Sequence, residues 1–414
     1  MTTSKSRNHS LNTPLAHAYK AALQQLDSLL SESVSLWRPQ PYKERRAEWS
    51  TQRPELTEAL LQLSDSELAV LSDSHEKLLN WLIPFVPELE ALQRHNRLPT
   101  LSTTPLTDLG PHFSTSIPGR KLTQIEAFAG AVGKISHPIV EWCGGKGHLG
   151  RQLAANWQQP VITLEYDPKL CDAGEHLAER ARIDQRFYRI DVLSDESTPH
   201  LPEHHSVALH ACGDLHRTLI KRAVDALAPA IDVAPCCYHL GHSDEYHPFS
   251  EGLQLKLNRD ELRLAVTETV TSTTRDVKWR DQEMAWKLGY EQLRQEISGS
   301  DHYQNMKPID KSWLRGSFKS FCENLALREK LNIDSRRDWP HYESIGWQRQ
   351  REVMRLSLLR NAFRRPLEVW LVLDIANYLS THHYSVEIGE FCRRETTPRN
   401  ILISARRNSS INDG

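Results

Sequence analysis

The chemistry this chain offers first lies in a few acids and glycines held at fixed spacing. Ile139-Val-Glu-Trp-Cys-Gly-Gly-Lys-Gly-His-Leu-Gly150 reads as a short buried strand, a glycine-rich turn and the first turn of a helix. Gly144, Gly145 and Gly147 let the backbone take positive φ and approach a ligand closely. The next apolar run, Val161 to Leu164, ends on Glu165. An acid about 20 residues past the first glycine of such a turn is placed to accept hydrogen bonds from a ribose diol. A third short strand, Phe187 to Ile190, ends on Asp191, where a carboxylate can take the amino group of an adenine. Glu141, Glu165 and Asp191 thus mark three successive strand ends, the edge at which open α/β sheets bind ligands.

Two cofactors suit this unit. Gly145-x-Gly147-x-x-Gly150 is formally the dinucleotide fingerprint, which allows NAD. Glu141 argues for a different ligand. A dinucleotide pyrophosphate wants backbone N–H groups and a helix N-terminus, not a carboxylate just before the turn. S-adenosylmethionine has no phosphate, and its ammonium and sulfonium are complemented by a nearby acid. The expected cofactor is therefore S-adenosylmethionine.

Ser206 to His210 reads as the fourth strand and Ala230 to Ala234 as the fifth. The segments that follow are Ala211-Cys-Gly-Asp-Leu215 and Pro235-Cys-Cys-Tyr-His239. If strand four neighbours strand one, Cys212, Asp214, Cys236, Cys237 and His239 crowd the place where a second substrate would lie, and His210 falls with the cofactor set. Asp214 or His239 is the expected general base. Cys236 and Cys237 are read as the wall of the acceptor pocket or as reactive thiols beside a histidine. A tetrahedral zinc site is the remaining reading. Against it, adjacent cysteines of an extended strand point in opposite directions and no Cys-x-x-Cys knuckle is present, so no metal is expected.

These segments carry a resemblance. Glu-x-x-Gly-Gly-Lys-Gly looks like the first motif of class I methyltransferases. With His-Ala-Cys-Gly-Asp-Leu and Pro-Cys-Cys-Tyr-His downstream, the chain resembles a methyltransferase-domain family that also occurs in glutathione S-transferase C-terminal-domain-containing proteins. It is distantly similar to the family that 2′-O-methylates the tRNA acceptor stem. The resemblance covers roughly residues 120 to 407 and implies the class I fold and S-adenosylmethionine. It does not name a substrate, because one fold hosts many functions.

The elements that must position these groups follow from the rest of the chain. Its 414 residues suffice for two or three domains, and a net charge of −2 exerts no global pull toward nucleic acid or membrane. No apolar run approaches the roughly 20 residues of a membrane helix. Met1 to Asn12 is polar and lacks the apolar core of a secretory signal. Seven cysteines without regular spacing fit a reducing, cytoplasmic setting. Leucines at helical spacing predict an N-terminal helical domain over 1–98, and the Pro- and Ser-rich stretch 99–119 predicts a linker or lid. A helix over 121–134 carries Gln124 and Glu126 toward the first strand.

The sheet domain is expected over 120–241 and 366–407. It closes with an antiparallel pair, Tyr384 to Phe391 and Ile401 to Ala405, before a tail at 408–414. A dehydrogenase half would continue with parallel units instead. Residues 242–365 read as a helical insertion. From Asp301 to Arg365 it holds fourteen Lys and Arg against eight acids, interleaved with Trp313, Phe318, Phe321, Trp339, Tyr342 and Trp347. That mixture grips RNA by phosphate contact and stacking, or it is a helical core with solvated charges.

The expectation is an α/β protein of the class I methyltransferase type with an N-terminal helical domain and a helical insertion. It would transfer a methyl group from S-adenosylmethionine, with RNA the first choice of acceptor and a protein or small molecule next. An NAD-dependent oxidoreductase or a non-catalytic binding module are the competing classes. The sequence says nothing of oligomeric state.

Overall fold

A computed structural model of the chain describes residues 12–267, 274–334 and 336–408. The expected tails, 1–12 and 408–414, lie outside them except for Asn12 and Asn408. In chain order the elements used below are α1 (Asn12–Glu32), α2 (Gly119–Val132), β1 (Ile139–Trp142), α3 (His148–Trp157), β2 (Val161–Glu165), α4 (Pro168–Ala181), β3 (Gln185–Arg189), β4 (His205–Cys212), α5 (Asp214–Asp225), β5 (Ala230–Cys236), α6 (Arg259–Val266), α7 (Thr274–Ser298), α8 (Phe318–Glu329), α9 (Trp339–Asn361), α10 (Arg364–Thr381), β6 (Tyr384–Glu390) and β7 (Ile401–Arg407).

All seven strands form one sheet in the order β3-β2-β1-β4-β5-β7-β6. Strands β1 to β5 are parallel, and β7 runs antiparallel between β5 and β6. The order reverses between β1 and β4, so their carboxyl ends open onto the switch point where open sheets bind ligands. β1 is buried along its whole length, as expected for a parallel strand covered on both faces. Local signals start the helices. Pro168 occupies the first turn of α4 while the Asp167 carboxylate accepts from Lys169 N–H at 2.8 Å, and Asn258 with Glu261 makes a reciprocal capping box on α6. The terminal strand pair stands where the sequence put it. The class I methyltransferase sheet is thus present in full.

The described residues fall into two units. Those within Met1–Glu32, Ala91–Glu268 and Arg364–Gly414 form the sheet unit, and those within Ser33–Glu90 and Thr269–Phe363 form a helical one. This partition cuts across the boundaries read from sequence, in which 1–98 and 242–365 were separate bodies. Buried polar groups explain the difference. Asp27 of α1 accepts from Gln254 and Leu255 N–H and from Trp370 Nε1 at 3.0 Å, so α1 is tied to α10 and to the chain before α6. Residues 99–119, expected as a linker or lid, are tied to the sheet unit as well: Leu101 is buried and its N–H donates to the Glu390 carbonyl of β6 at 3.0 Å.

In the helical unit α7 lies against α9, and Trp286, Tyr290, Leu293, Phe318, Phe321 and Tyr342 form a buried core. The arginines of α9 attach residues 33–90. Arg355 donates to the Leu63 carbonyl and to Asp65, both at 2.7 Å, and Arg360 donates to the Trp37 carbonyl at 2.9 Å. The aromatic side chains read as candidate base-stacking groups are therefore mostly core, with Trp313, Trp339 and Trp347 partly buried against the same cluster. Burying such a side chain is worth about 1.5–3 kcal/mol, and a ring so used is not available to a nucleotide. Several of the basic residues are likewise spent inside the unit.

Candidate active site

The turn after β1 is held from below by a carboxylate. Glu141 is buried, and its Oε2 accepts from Thr163 Oγ1 at 2.9 Å and from Gln185 Nε2 at 3.4 Å. Gln185 also donates to the Gly147 carbonyl at 3.0 Å. Burial pushes the Glu141 carboxyl up to about 7, against the opposing pull of Thr163, the Gly150 backbone and the cations Arg151 and Lys121. Glycine is required above it. Gly147 has φ +63, and a Cβ there would sit 2.3 Å from Gln185 Nε2 and 2.5 Å from the Phe187 ring. Gly144 would collide with Thr163 and Glu141 in the same way. At Gly145 an added Cβ would meet nothing within 4 Å, so this face of the turn is open. The backbone reversal itself begins on Cys143, a non-glycine with φ +55.

Glu165 stands beside that open face. Its Oε2 accepts from Gly145 N–H at 2.8 Å, and its Oε1 accepts from Tyr166 and Asp167 N–H at 2.9 and 3.0 Å. A carboxylate offers about four acceptor positions, which leaves room for one more donor. Asp191 is exposed at the end of β3 and uses Oδ1 to accept from Leu193 N–H at 3.0 Å. Tyr166, the residue after Glu165, is 70% exposed, an unusual setting for an aromatic ring.

His210 lies at an irregularity in β4 between Leu209 and Cys212, with φ +69. Its Nε2 is 3.3 Å from Gln124 Oε1 on α2. Desolvation pushes the imidazole down to about 4, so it is neutral at pH 7. Gln124, partly buried, is thus brought to His210, while Glu126 on the same helix is exposed.

The turns after β4 and β5 are stitched together. Gly213 N–H donates to the Cys236 carbonyl at 3.1 Å and Asp214 N–H to the Leu240 carbonyl at 3.2 Å. Gly213 has φ +54, and a Cβ on it would lie 1.8 Å from that Leu240 oxygen, so no other residue fits. Asp214 is not a free base. Its Oδ2 accepts from His242 N–H at 2.8 Å and lies 2.9 Å from His242 Nδ1. Those contacts hold its carboxyl below the usual range although partial burial opposes them. His242, whose ring is 86% exposed, was not on the sequence-based roster. His239 has a buried Nδ1 without a hydrogen-bond partner among the described residues, and desolvation lowers its pKa.

The thiols depart from the geometry assumed for them. Cys237 has φ +45, so the chain leaves the extended conformation there and the two adjacent side chains no longer diverge. Cys212, Cys236 and Cys237 bring their sulfurs within 4.8 Å of one another, with Cys212 Sγ 3.2 Å from Cys236 Sγ. The argument against a metal from opposed side chains therefore fails. Arg399, in the loop between β6 and β7, lends positive charge to this cluster. Its Pro-Arg-Asn setting was visible in the sequence, but its approach to β5 depends on the antiparallel closure of the sheet.

Residues 120–242 match the family described as "Methyltransferase domain". That match takes in β1 to β5 and the turns after them, less than a third of the chain. A glutathione S-transferase C-terminal domain-containing protein of Xenopus laevis is 30% identical over 126 residues. That match spans 29% of this chain and 19% of the relative's length. Among solved structures, an O-methyltransferase family protein from Burkholderia thailandensis is similar at 10% identity and a TM-score of 0.31, covering 97% of this chain and 95% of that one. A possible exported protein from Bordetella parapertussis is similar at 12% identity and a TM-score of 0.28, covering 87% and 99%. Likenesses that slight add nothing to the topology described above. The matched segment ends at His242, the residue that Asp214 holds. Among the described residues no helix is long and apolar enough to cross a membrane.

Proposed function

We propose that this domain binds S-adenosylmethionine and transfers its methyl group to an acceptor at the ends of β4 and β5. The observation that carries the reading is the open face of Gly145 beside Glu165, a cradle bordered by carboxylates and suited to a diol and to positive charge. A pyrophosphate would face the same acids unfavourably. The bound cofactor supplies a methyl on a sulfonium, already a good leaving group, so positioning of the acceptor carries much of the rate. Glu165 would accept from one ribose hydroxyl with its remaining lone pair. Asp191, whose Oδ1 accepts from Leu193 N–H, would offer its second oxygen to the adenine amino group. Glu141 supports the turn and lends negative potential beneath it, and Gly144, Gly145 and Gly147 keep side chains out of the way. His210, kept neutral by burial and hydrogen-bonded to Gln124, closes the side next to α2.

Titration calorimetry with S-adenosylhomocysteine is expected to give micromolar binding and no heat with NAD. The reverse order would replace the proposal with a nicotinamide enzyme, and no binding of either to folded protein would leave the binding-module reading.

For an oxygen or nitrogen acceptor we assign the base to His242, with Asp214 as its positioning residue in place of the direct role expected from sequence. Asp214 fixes the Nδ1 side and leaves Nε2 outward. His239, neutral and close to the thiols, is the second candidate. With an acceptor in hand, His242→Ala is expected to lower kcat by about 100-fold with little change in KM. Asp214→Asn should lower kcat less and leave KM unchanged, because an amide oxygen there can still accept from His242 N–H. Full turnover in both variants would remove the pair from the mechanism.

RNA remains the proposed acceptor class, now supported by the family resemblance and by exposed cations such as Lys307, Lys311, Lys330 and Arg351. Tritium from labelled cofactor is expected on an RNA fraction. Label found only on protein or small molecules would reassign the acceptor.

A further inference from the structure

We propose that Cys212, Cys236 and Cys237 form a binding site for one thiophilic d10 cation, Zn2+ first among them. The site needs only these three side chains and stands independently of the cofactor reading. Three observations converge on it. The sulfurs lie within 4.8 Å of one another, with Cys212 Sγ 3.2 Å from Cys236 Sγ. A zinc ion with Zn–S bonds of about 2.3 Å holds its thiolates about 3.8 Å apart, inside that span, so small side-chain adjustments suffice.

The second observation is the backbone. Cys212 and Cys236 are register partners on adjacent strands, and their proximity follows from the sheet alone. Cys237 is different: its sulfur reaches the other two because the residue takes φ +45 at the end of β5. A left-handed conformation at a non-glycine residue is unfavourable, and its persistence at a site points to something gained there. His210, two residues before Cys212, is also left-handed, with φ +69. A redox pair would need only Cys212 and Cys236. The third sulfur is what a pair does not explain and an ion does.

The third observation is charge. Three thiolates around a dication leave a net negative unit, and Arg399 of the β6–β7 loop lends a positive one nearby. The borderline-soft zinc ion suits sulfur donors, whereas Mg2+ and Ca2+ take oxygen. Among the described residues no fourth His, Cys, Asp or Glu atom joins the group. The coordination therefore keeps one position for water or another small donor, as open zinc sites do.

The test uses the full chain, reduced and freed of metal. Titration with Cd2+ is expected to raise a thiolate charge-transfer absorption that stops at one equivalent, and Zn2+ should abolish it by competition. Cys237→Ser, matched to wild type by circular dichroism, should weaken Cd2+ binding at least about 100-fold, whereas Cys171→Ser and Cys322→Ser leave it unchanged. Should the cluster variants fail to fold, alkylation of wild type decides. Zn2+ is expected to protect Cys212, Cys236 and Cys237 together, read by peptide mass. Equal alkylation with and without Zn2+ would overturn the proposal. So would an absorption unaffected by Cys237→Ser, or a Cys212–Cys236 disulfide in a protein whose reduced form takes up no metal.

Discussion

Glu165→Ala should reduce S-adenosylhomocysteine affinity by at least about 100-fold. The side chain does two jobs that the substitution removes together. It accepts backbone N–H groups from Gly145, Tyr166 and Asp167, and so fixes the glycine turn to the end of β2. Under the proposed reading it also accepts from the ribose diol. Hydrogen bonds to an ionised group contribute about 1.5–3 kcal/mol each, and about 2.7 kcal/mol corresponds to 100-fold. Losing a ligand contact and loosening the Gly145 cradle together reach that range. The check is calorimetry on both proteins, with denaturant unfolding alongside. Unchanged affinity would show that the ligand does not sit at the carboxyl end of β2. Equal losses of binding and global stability would show that Glu165 acts only on the fold.

The glycine turn and the strand-end acids of the candidate site were legible because their signals are local. A glycine turn between an apolar strand and a helix needs residues within a single βαβ unit, and Glu141, Glu165 and Asp191 fall where strand lengths put them. Even there the sequence left something out. Gln185 closes the Glu141–Thr163 network from β3, and nothing in its neighbourhood marks it. Cys143 takes the positive φ at the start of the reversal, a position where glycine would have been the expected residue.

The segments after β4 and β5 were less legible, because their contacts depend on turns and on sheet closure. Asp214 was named as a base from its place after β4. Its engagement by His242 follows from the loop after β5 folding onto Gly213, which no periodicity reveals. The opposed-cysteine argument assumed an extended strand through Cys237, and one positive φ undid it. In the helical unit the composition was read correctly and the geometry was not available. Trp286 and Tyr342 lie 56 positions apart in the sequence, and only tertiary packing makes them one core. The same holds for Arg355, whose partners Leu63 and Asp65 belong to a stretch the sequence assigned to another domain.

Glu141→Gln is expected to change how stability depends on pH by about 3 kcal/mol. The folded carboxyl is raised to about 7 from an ordinary 4.5, chiefly by burial. Between those values the folded protein holds a proton that the unfolded chain has released, so folding is favoured by protonation. The contribution is full below about pH 4.5, declines as pH rises and is lost through about 7. A shift of about 2.5 units corresponds to about 3 kcal/mol. Glutamine removes the ionisation while its amide oxygen can still accept from Thr163. Other buried groups titrate in the same window, notably His148 and His216, so the informative quantity is the difference between the two proteins. Denaturant unfolding at pH 5 and pH 8 should show the variant gaining on wild type at the higher pH. A difference independent of pH would mean that Glu141 is ionised throughout, paired more strongly by Thr163, Gln185 and the nearby cations than its burial implies. The same comparison bears on function. A ligand carrying an ammonium favours the ionised carboxylate, so S-adenosylhomocysteine affinity should rise from pH 5 to 8 in wild type and change less in the variant.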